Sequence, residues 1–120
     1  DMTLNVSTSP GYTVFYNIDI RREEKDQALV LQVVMEQMEQ LGSSYAAKAS
    51  LDENKTLSVF YATVGSANVL NATYMDQLCS KNNLVCRHIH HYEEGHDEIT
   101  LQPMYDFCQS HPSQKVIYLH

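Results

Sequence analysis

Tryptophan is absent from the 120 residues, and there are only 3 prolines, 4 glycines, 3 cysteines and 8 Lys+Arg, against 15 Asp+Glu. With Arg21, Arg22 and Arg87 the only arginines, nucleic acid is a poor partner, because affinity for a phosphate backbone is carried by Lys and Arg neutralising phosphates. No uninterrupted apolar run approaches the ~20 residues that cross a bilayer, and the first residues lack the basic and apolar blocks of a signal peptide. Any membrane or targeting segment is therefore expected outside this chain. Cys79, Cys86 and Cys108 are too few for a disulfide framework and match neither C-x-x-C nor a zinc ribbon, so buried thiols are the expectation. In an oxidising compartment, however, Cys79 and Cys86 flank the short Asn82-Asn83 turn and are placed to pair. Also missing are G-x-S-x-G, the P-loop and G-x-G-x-x-G, which removes the standard hydrolase, NTPase and dinucleotide signatures.

What is present is the composition of one folded domain: 43% apolar residues, 19% charged, 8 Tyr, a formal net charge of −7 and a pI near 5.2. Three N-x-[ST] triplets, at Asn5, Asn54 and Asn71, suit a secretory-pathway (Golgi or ER) lumen, while the shortness of the motif leaves the cytoplasm open.

Along the chain, residues 1–12 cluster Ser7, Thr8, Ser9, Pro10 and Gly11 and read as a flexible leader. The segment Thr13 to Ile20 is β-branched and aromatic and reads as a strand; Glu23 to Leu41 carries Val30, Val33, Val34, Met38 and Leu41 at helical spacing until Gly42. Thr56 to Val64 is almost continuously apolar, as expected of a strand buried on both faces. Asn71 caps a shorter helix, and Leu84 to His90 returns to extended character. Thr100 is the expected N-cap of a helix whose apolar stripe is Leu101, Met104, Tyr105 and Cys108, with Pro103 in the first turn. Lys115 to His120 is the last strand. Alternation of strands and helices predicts a Rossmann-like α/β three-layer sandwich over 13–120, with four parallel strands in the order 3-2-1-4 and right-handed crossovers. The final apolar strand lacks covering elements, so the domain is expected to be the N-terminal part of a longer protein.

In open parallel sheets, ligands gather beyond the carboxyl ends of the strands. That edge would receive Asn17, Asp19, Arg21 and Arg22 from the first strand and Thr63, Gly65 and Ser66 from the second. The third delivers His90, His91, Tyr92 and Glu93, and the fourth His120. Asp19 stands out, because a carboxylate near the end of an apolar strand needs hydrogen bonds, and a ribose or base can supply them. Gly65-Ser66 lets backbone approach a phosphate or sugar closely, although glycine is also an ordinary strand exit. Arg21 and Arg22 suit a diphosphate but equally surface pairs with the acidic turn behind them. The run from His88 to Glu98 holds four of the six histidines. Strand alternation predicts His88 and His90 on one face, where a pair with a carboxylate can bind zinc. No metal-ligand spacing such as H-E-x-x-H is present, so polar binding is the preferred reading and no metal site is assigned.

Four stretches then belong together: Val14-Phe15-Tyr16-Asn17-Ile18, Phe60 to Gly65, His91 to Leu101, and Val116 to His120. In this order they resemble a glycosyltransferase-like family of microbial eukaryotes, with its vFYNI strand, Y-x-T-x-G strand end, HYxxGxExxTL loop and VxYLHxKGS strand. The resemblance implies a GT-A-type enzyme whose Rossmann-like N-terminal half binds a nucleotide-sugar and which transfers the sugar to a hydroxyl acceptor activated by a carboxylate base. It places Asp19 and Arg21 near the nucleotide, Gly65 and Ser66 beside it, His91, Tyr92 and Glu93 at the mouth of the crevice, and His120 at the end of the fourth strand. It also implies a Mn²⁺ or Mg²⁺ held by D-x-D further on. This chain contains no D-x-D and stops where the pattern continues into Lys-Gly-Ser. The metal and the acceptor half are thus expected only in the complete protein, and the chain alone is not expected to be active. The competing reading is a non-catalytic α/β interaction or sugar-binding module that uses the histidine loop for recognition.

Overall fold

A computed structural model describes residues 11–20, 27–52, 55–65, 70–93 and 98–119. The elements are β1 (Gly11–Asp19), α1 (Gln27–Gly42), α2 (Tyr45–Asp52), β2 (Leu57–Val64), α3 (Ala72–Lys81), β3 (Leu84–Tyr92), α4 (Glu98–Ser110) and β4 (Gln114–Leu119). The sheet has 4 strands in the order β3-β2-β1-β4, and every neighbouring pair is parallel. The expected Rossmann-like α/β topology is therefore the one the chain adopts.

Period-two alternation in the two central strands explains the layers. Val14, Tyr16, Ile18, Val59 and Tyr61 face a core completed by Val34 and Met38 of α1, Ala46 and Ala47 of α2, and Met75 and Leu78 of α3. Phe15, Phe60 and Ala62 face the other way and form a smaller core with Ile89 and with Phe107 of α4. Its aromatic centre is tight, with Phe15 5.3 Å from Phe60 and 5.5 Å from Phe107 between ring centroids. This division follows from handedness: the crossovers from β1 to β2 and from β2 to β3 advance in one direction, the one from β3 to β4 reverses, and right-handed connections then put α4 alone on the opposite face.

Several expectations are corrected in detail. The first strand begins at Gly11 rather than Thr13. The helix α2 lies in a stretch to which the sequence pattern assigns no element; Ser44 caps it, its hydroxyl accepting from the Ala47 N–H at 3.2 Å, and it buries only the small residues Ala46, Ala47 and Ser50. Along α4 the buried stripe is rotated by about one residue. Thr100 and Phe107 are buried, whereas Leu101, Tyr105 and Cys108 face solvent. Thr100 is no N-cap, since the helix starts at Glu98 and Thr100 lies inside it. Val33, placed on the apolar face of α1 by its spacing, is 44% exposed.

Cys79 and Cys86 form a disulfide, with Cα atoms 6.1 Å apart, that ties the end of α3 to β3 around the turn at Asn82 and Asn83. The turn needs a left-handed residue, and Asn83 supplies it at φ 57°. Gly42 is required by a close approach to the same turn, because a Cβ there would sit 2.7 Å from the Asn82 carbonyl oxygen. Among the described residues, no helix is long and apolar enough to cross a membrane.

Two stability predictions follow from this packing. Truncating Phe60 or Val59 to Ala should cost about 2 to 5 kcal/mol, read as a lower urea midpoint, because β2 is covered on both faces and neither core can collapse fully onto the cavity. Replacing Cys79 and Cys86 together by Ala should cost about 2 to 3 kcal/mol in the same measurement, the loop-closure term for so short a loop.

Candidate functional site

Because all the strands run the same way, their carboxyl ends collect at one edge, and the chain changes direction between β1 and β4. Asn17 and Asp19 of β1 reach this switch point. Asn17 is buried and accepts a hydrogen bond at 2.8 Å from the hydroxyl of Thr100, itself fully buried. That bond fixes the amino end of α4 beside the end of β1 on one face of the sheet. Asp19, the last residue of β1, is exposed and lies in register with Val64 of β2. Next to it, Gly65 leaves β2 at φ 124°, a conformation open mainly to glycine, while its N–H donates to the Tyr92 carbonyl at 2.8 Å. The backbone turns sharply there without losing its bond to β3.

The richest chemistry lies on the other face, at the ends of β2 and β3. The β2–β3 register shifts between Tyr61 and Ala62, so that Tyr61 opposes His88 but Ala62 opposes His90. This is a β-bulge, with Ile89 and His90 together opposite Ala62. Ile89 enters the core under α4. Beyond the bulge the alternation is reset, and His91 arrives on the face of Thr63. The expected sharing of one face by His88 and His90 is thus overturned: the pair that converges is His88 and His91, with ring centroids 6.4 Å apart. His90 instead approaches Tyr92, at 5.7 Å.

Both converging rings bond the same atom. The Thr63 hydroxyl lies 3.0 Å from His88 Nε2 and 2.7 Å from His91 Nδ1. A hydroxyl carries one proton, so at most one ring nitrogen accepts from it, and the other must donate. His88 also stacks on Tyr61, with centroids 4.8 Å apart and planes 13° from parallel. Burial pushes the Tyr61 phenol above its ordinary value, and the Asp76 carboxylate of α3 adds to the rise, so Tyr61 stays protonated. The His88 ring is held below the usual histidine value first by desolvation and further by its neighbours His91 and His90, against an opposing hydrogen bond to the His90 backbone.

Of the residues expected at this edge, Asp19, Gly65, His91, Tyr92 and Glu93 are found there. Tyr92 is 44% exposed and Glu93 lies just past β3. Arg21, Ser66 and His120 lie outside the described residues. Thr63, Tyr61 and Asp76 were not singled out as a group. The signal that could have found them is a histidine spacing of three in a strand, which reaches a common face only through a bulge. Among the described residues, no three His, Cys, Asp or Glu side chains gather to hold a metal ion. The sequence contains no D-x-D either, so the described residues supply no Mn²⁺ or Mg²⁺ ligand set.

Compared with known proteins, residues 15–120 match the family model described as a domain of unknown function, DUF8361. No curated protein and no solved structure matches the chain.

The histidine cluster predicts an acid-sensitive stability. His88 binds a proton less readily in the folded state than at its reference value of 6.5. Its contribution is therefore complete above that value and declines as the pH falls through it toward the lower folded value, where the unfolded chain binds the extra proton. The groups against it are Tyr61 and Thr63 of β2 and His90 and His91 of its own strand, with Asp76 acting on Tyr61 behind the stack. Urea unfolding from about pH 7.5 to pH 5.5 should show a shallower acid decline for His88→Phe, which keeps a ring against Tyr61, than for the wild type.

Proposed function

The chain belongs to the DUF8361 family, whose description assigns no activity, and we propose that its C-terminal sheet edge binds a nucleotide-sugar as the donor-binding part of a glycosyl-transfer enzyme. The observation that carries this reading is the placement of Asp19, an exposed carboxylate on the last residue of β1 at the switch point of a parallel sheet. A carboxylate there accepts hydrogen bonds from ribose hydroxyls, as in other open α/β sheets. The amino end of α4, pinned by Thr100 on Asn17, offers backbone N–H groups and the positive end of a helix dipole to a diphosphate. Gly65 has no side chain to obstruct the ligand's path across the edge. His91, Tyr92 and Glu93 then lie toward the sugar, and Arg21, Ser66 and His120 belong to the same proposed site by their sequence positions. In this reading the sugar passes from the nucleotide to a hydroxyl acceptor.

The resemblance brings a Mn²⁺ or Mg²⁺ with it, but the described residues supply no ligand set, and no step is routed through a metal here.

Calorimetric titration with a panel of nucleotide-sugars tests the reading. Asp19→Ala should weaken donor binding by about 1 to 3 kcal/mol, with an unchanged circular dichroism spectrum, because a lost ribose bond also leaves the ligand's hydroxyl unpaired. Equal affinities would make Asp19 a structural carboxylate. Absence of donor binding in the complete protein would transfer support to the non-catalytic recognition module.

A further inference from the structure

The triplet Asn71-Ala72-Thr73 lies wholly within the described residues, at the start of α3. An N-x-[ST] triplet accepts a glycan only where its middle residue is not proline and its side chains reach solvent. Ala72 meets the first condition. The second is met by the phase of α3: its buried residues are Met75, Leu78 and Cys79, which turns Asn71, Ala72 and Thr73 outward, all three exposed. The local hydrogen bonding also leaves the reacting atom out of the cap. Asn71 is extended, at φ −98° and ψ 162°, and its Oδ1 accepts from the Tyr74 N–H at 2.8 Å. An asparagine amide has one acceptor oxygen and a separate NH₂, so a cap of this kind engages the oxygen and turns Nδ2 away from the helix. A second, independent feature sits at the other end of α3, where the Cys79–Cys86 disulfide ties the helix to β3. Disulfides persist where thiols oxidise, and the secretory-pathway lumen that oxidises them is also where asparagine is glycosylated.

We propose that Asn71 is an N-glycosylation site and that its glycan stands on the α3 side of the carboxyl edge with the helix cap intact. The donor is an oligosaccharide carried on a polyprenyl diphosphate. Asn71 Nδ2 forms the new bond to the anomeric carbon. The bond from that carbon to the diphosphate oxygen breaks with both electrons leaving on the diphosphate, and one Nδ2 proton passes to a base of the transferring enzyme. Oδ1 takes no part, so the glycosylated residue still accepts from Tyr74 N–H. The position of the glycan follows from the topology. Strand β2 ends at the carboxyl edge, and α3 starts there and returns toward the beginning of β3, as a right-handed crossover requires. Helix α3 packs through Met75 and Leu78 on the core that Tyr61 faces. Asn17 bonds Thr100 of α4 on the opposite face, and Asp19, two residues further along β1, shares that face. A glycan on Asn71 is therefore separated by the sheet from Asp19. The proposal does not depend on the nucleotide-sugar reading, and a glycosylated Asn71 leaves the Asp19 side of the edge open to a ligand.

Mass spectrometry of the complete protein, isolated from the cells that make it, tests this. Peptide-N-glycosidase acting in heavy-oxygen water converts a glycosylated asparagine into a labelled aspartate, and the peptide containing Asn71 is expected to carry that label. In the same cells Thr73→Ala is expected to lose the label and Thr73→Ser to keep it. An unlabelled Asn71 overturns the proposal, including the case in which only Asn5 or Asn54 is labelled. A label that appears equally without the glycosidase, or survives in Thr73→Ala, is deamidation and overturns it as well. The shared cap is read separately by urea unfolding of the deglycosylated protein. Asn71→Asp, which keeps an acceptor oxygen, is expected to hold the wild-type midpoint, and Asn71→Ala to lower it. A midpoint unchanged in Asn71→Ala overturns the capping role that the proposal keeps for Oδ1.

Discussion

Burial of β1 and β2 on both faces is the constraint on which the remaining structure depends. Val14, Phe15, Val59 and Ala62 are wholly inaccessible, and Tyr16, Phe60 and Tyr61 are nearly so. Two adjacent strands of this kind cannot face water on either side, so helices must cover both faces, and parallel pairing with crossover helices is the short-connection solution. A reversal of chain direction is then needed to bring one helix to the second face. The switch point between β1 and β4, and so the edge where Asp19 sits, is a by-product of covering hydrophobic strands. The apolar sequence of β1 and β2 thereby fixes where a ligand site can be before any polar residue is considered.

The bulge in β3 makes the second half of that edge. Ile89 completes the smaller core against Phe60, Ala62 and Phe107, and its burial on that face sets the phase of the strand up to that point. Without an extra residue, His90 would follow onto the Thr63 face and His91 would turn away. With Ile89 and His90 sharing Ala62, the face of His91 is exchanged, and Thr63 receives His91 instead of His90 beside His88. Since Thr63 lies in a strand covered on both sides, its hydroxyl has little freedom to seek other partners. The imidazoles are therefore oriented by a rigid element.

Topology was legible in the sequence because strand and helix periods alternate cleanly, and runs such as Leu57 to Val64 leave no solvent-facing row. Finer features were not, each for a physical reason. The α4 stripe was misplaced because Thr100 fills a core position through a hydrogen bond to Asn17, so an apolar count slides to Leu101 and Tyr105 on the adjacent face. Helix α2 escaped notice because it packs through alanines and a serine whose hydroxyl bonds back to Ala46, which leaves little hydrophobic periodicity. The bulge is invisible to a period-two reading, since nothing in His88-Ile89-His90-His91 marks where two residues oppose one. The position of Asp19 was read correctly, whereas the histidines were assigned to the wrong faces.

The disulfide connects these two levels of organisation. It holds the end of α3 to the first half of β3, the helix that brings Asp76 toward Tyr61 and the strand that brings His88 onto it. The covalent tie at Cys86, two residues before His88, fixes the start of β3 to the end of α3. That device persists where thiols oxidise, the setting in which N-x-[ST] triplets would also be used. Asn71, the described asparagine among the three, fits the same setting: it is exposed, and its Oδ1 accepts from Tyr74 N–H to cap α3. The cap therefore occupies the oxygen and leaves Nδ2, the atom a glycan takes, pointing away from that bond. Helix capping and glycosylation can use the same side chain without competing.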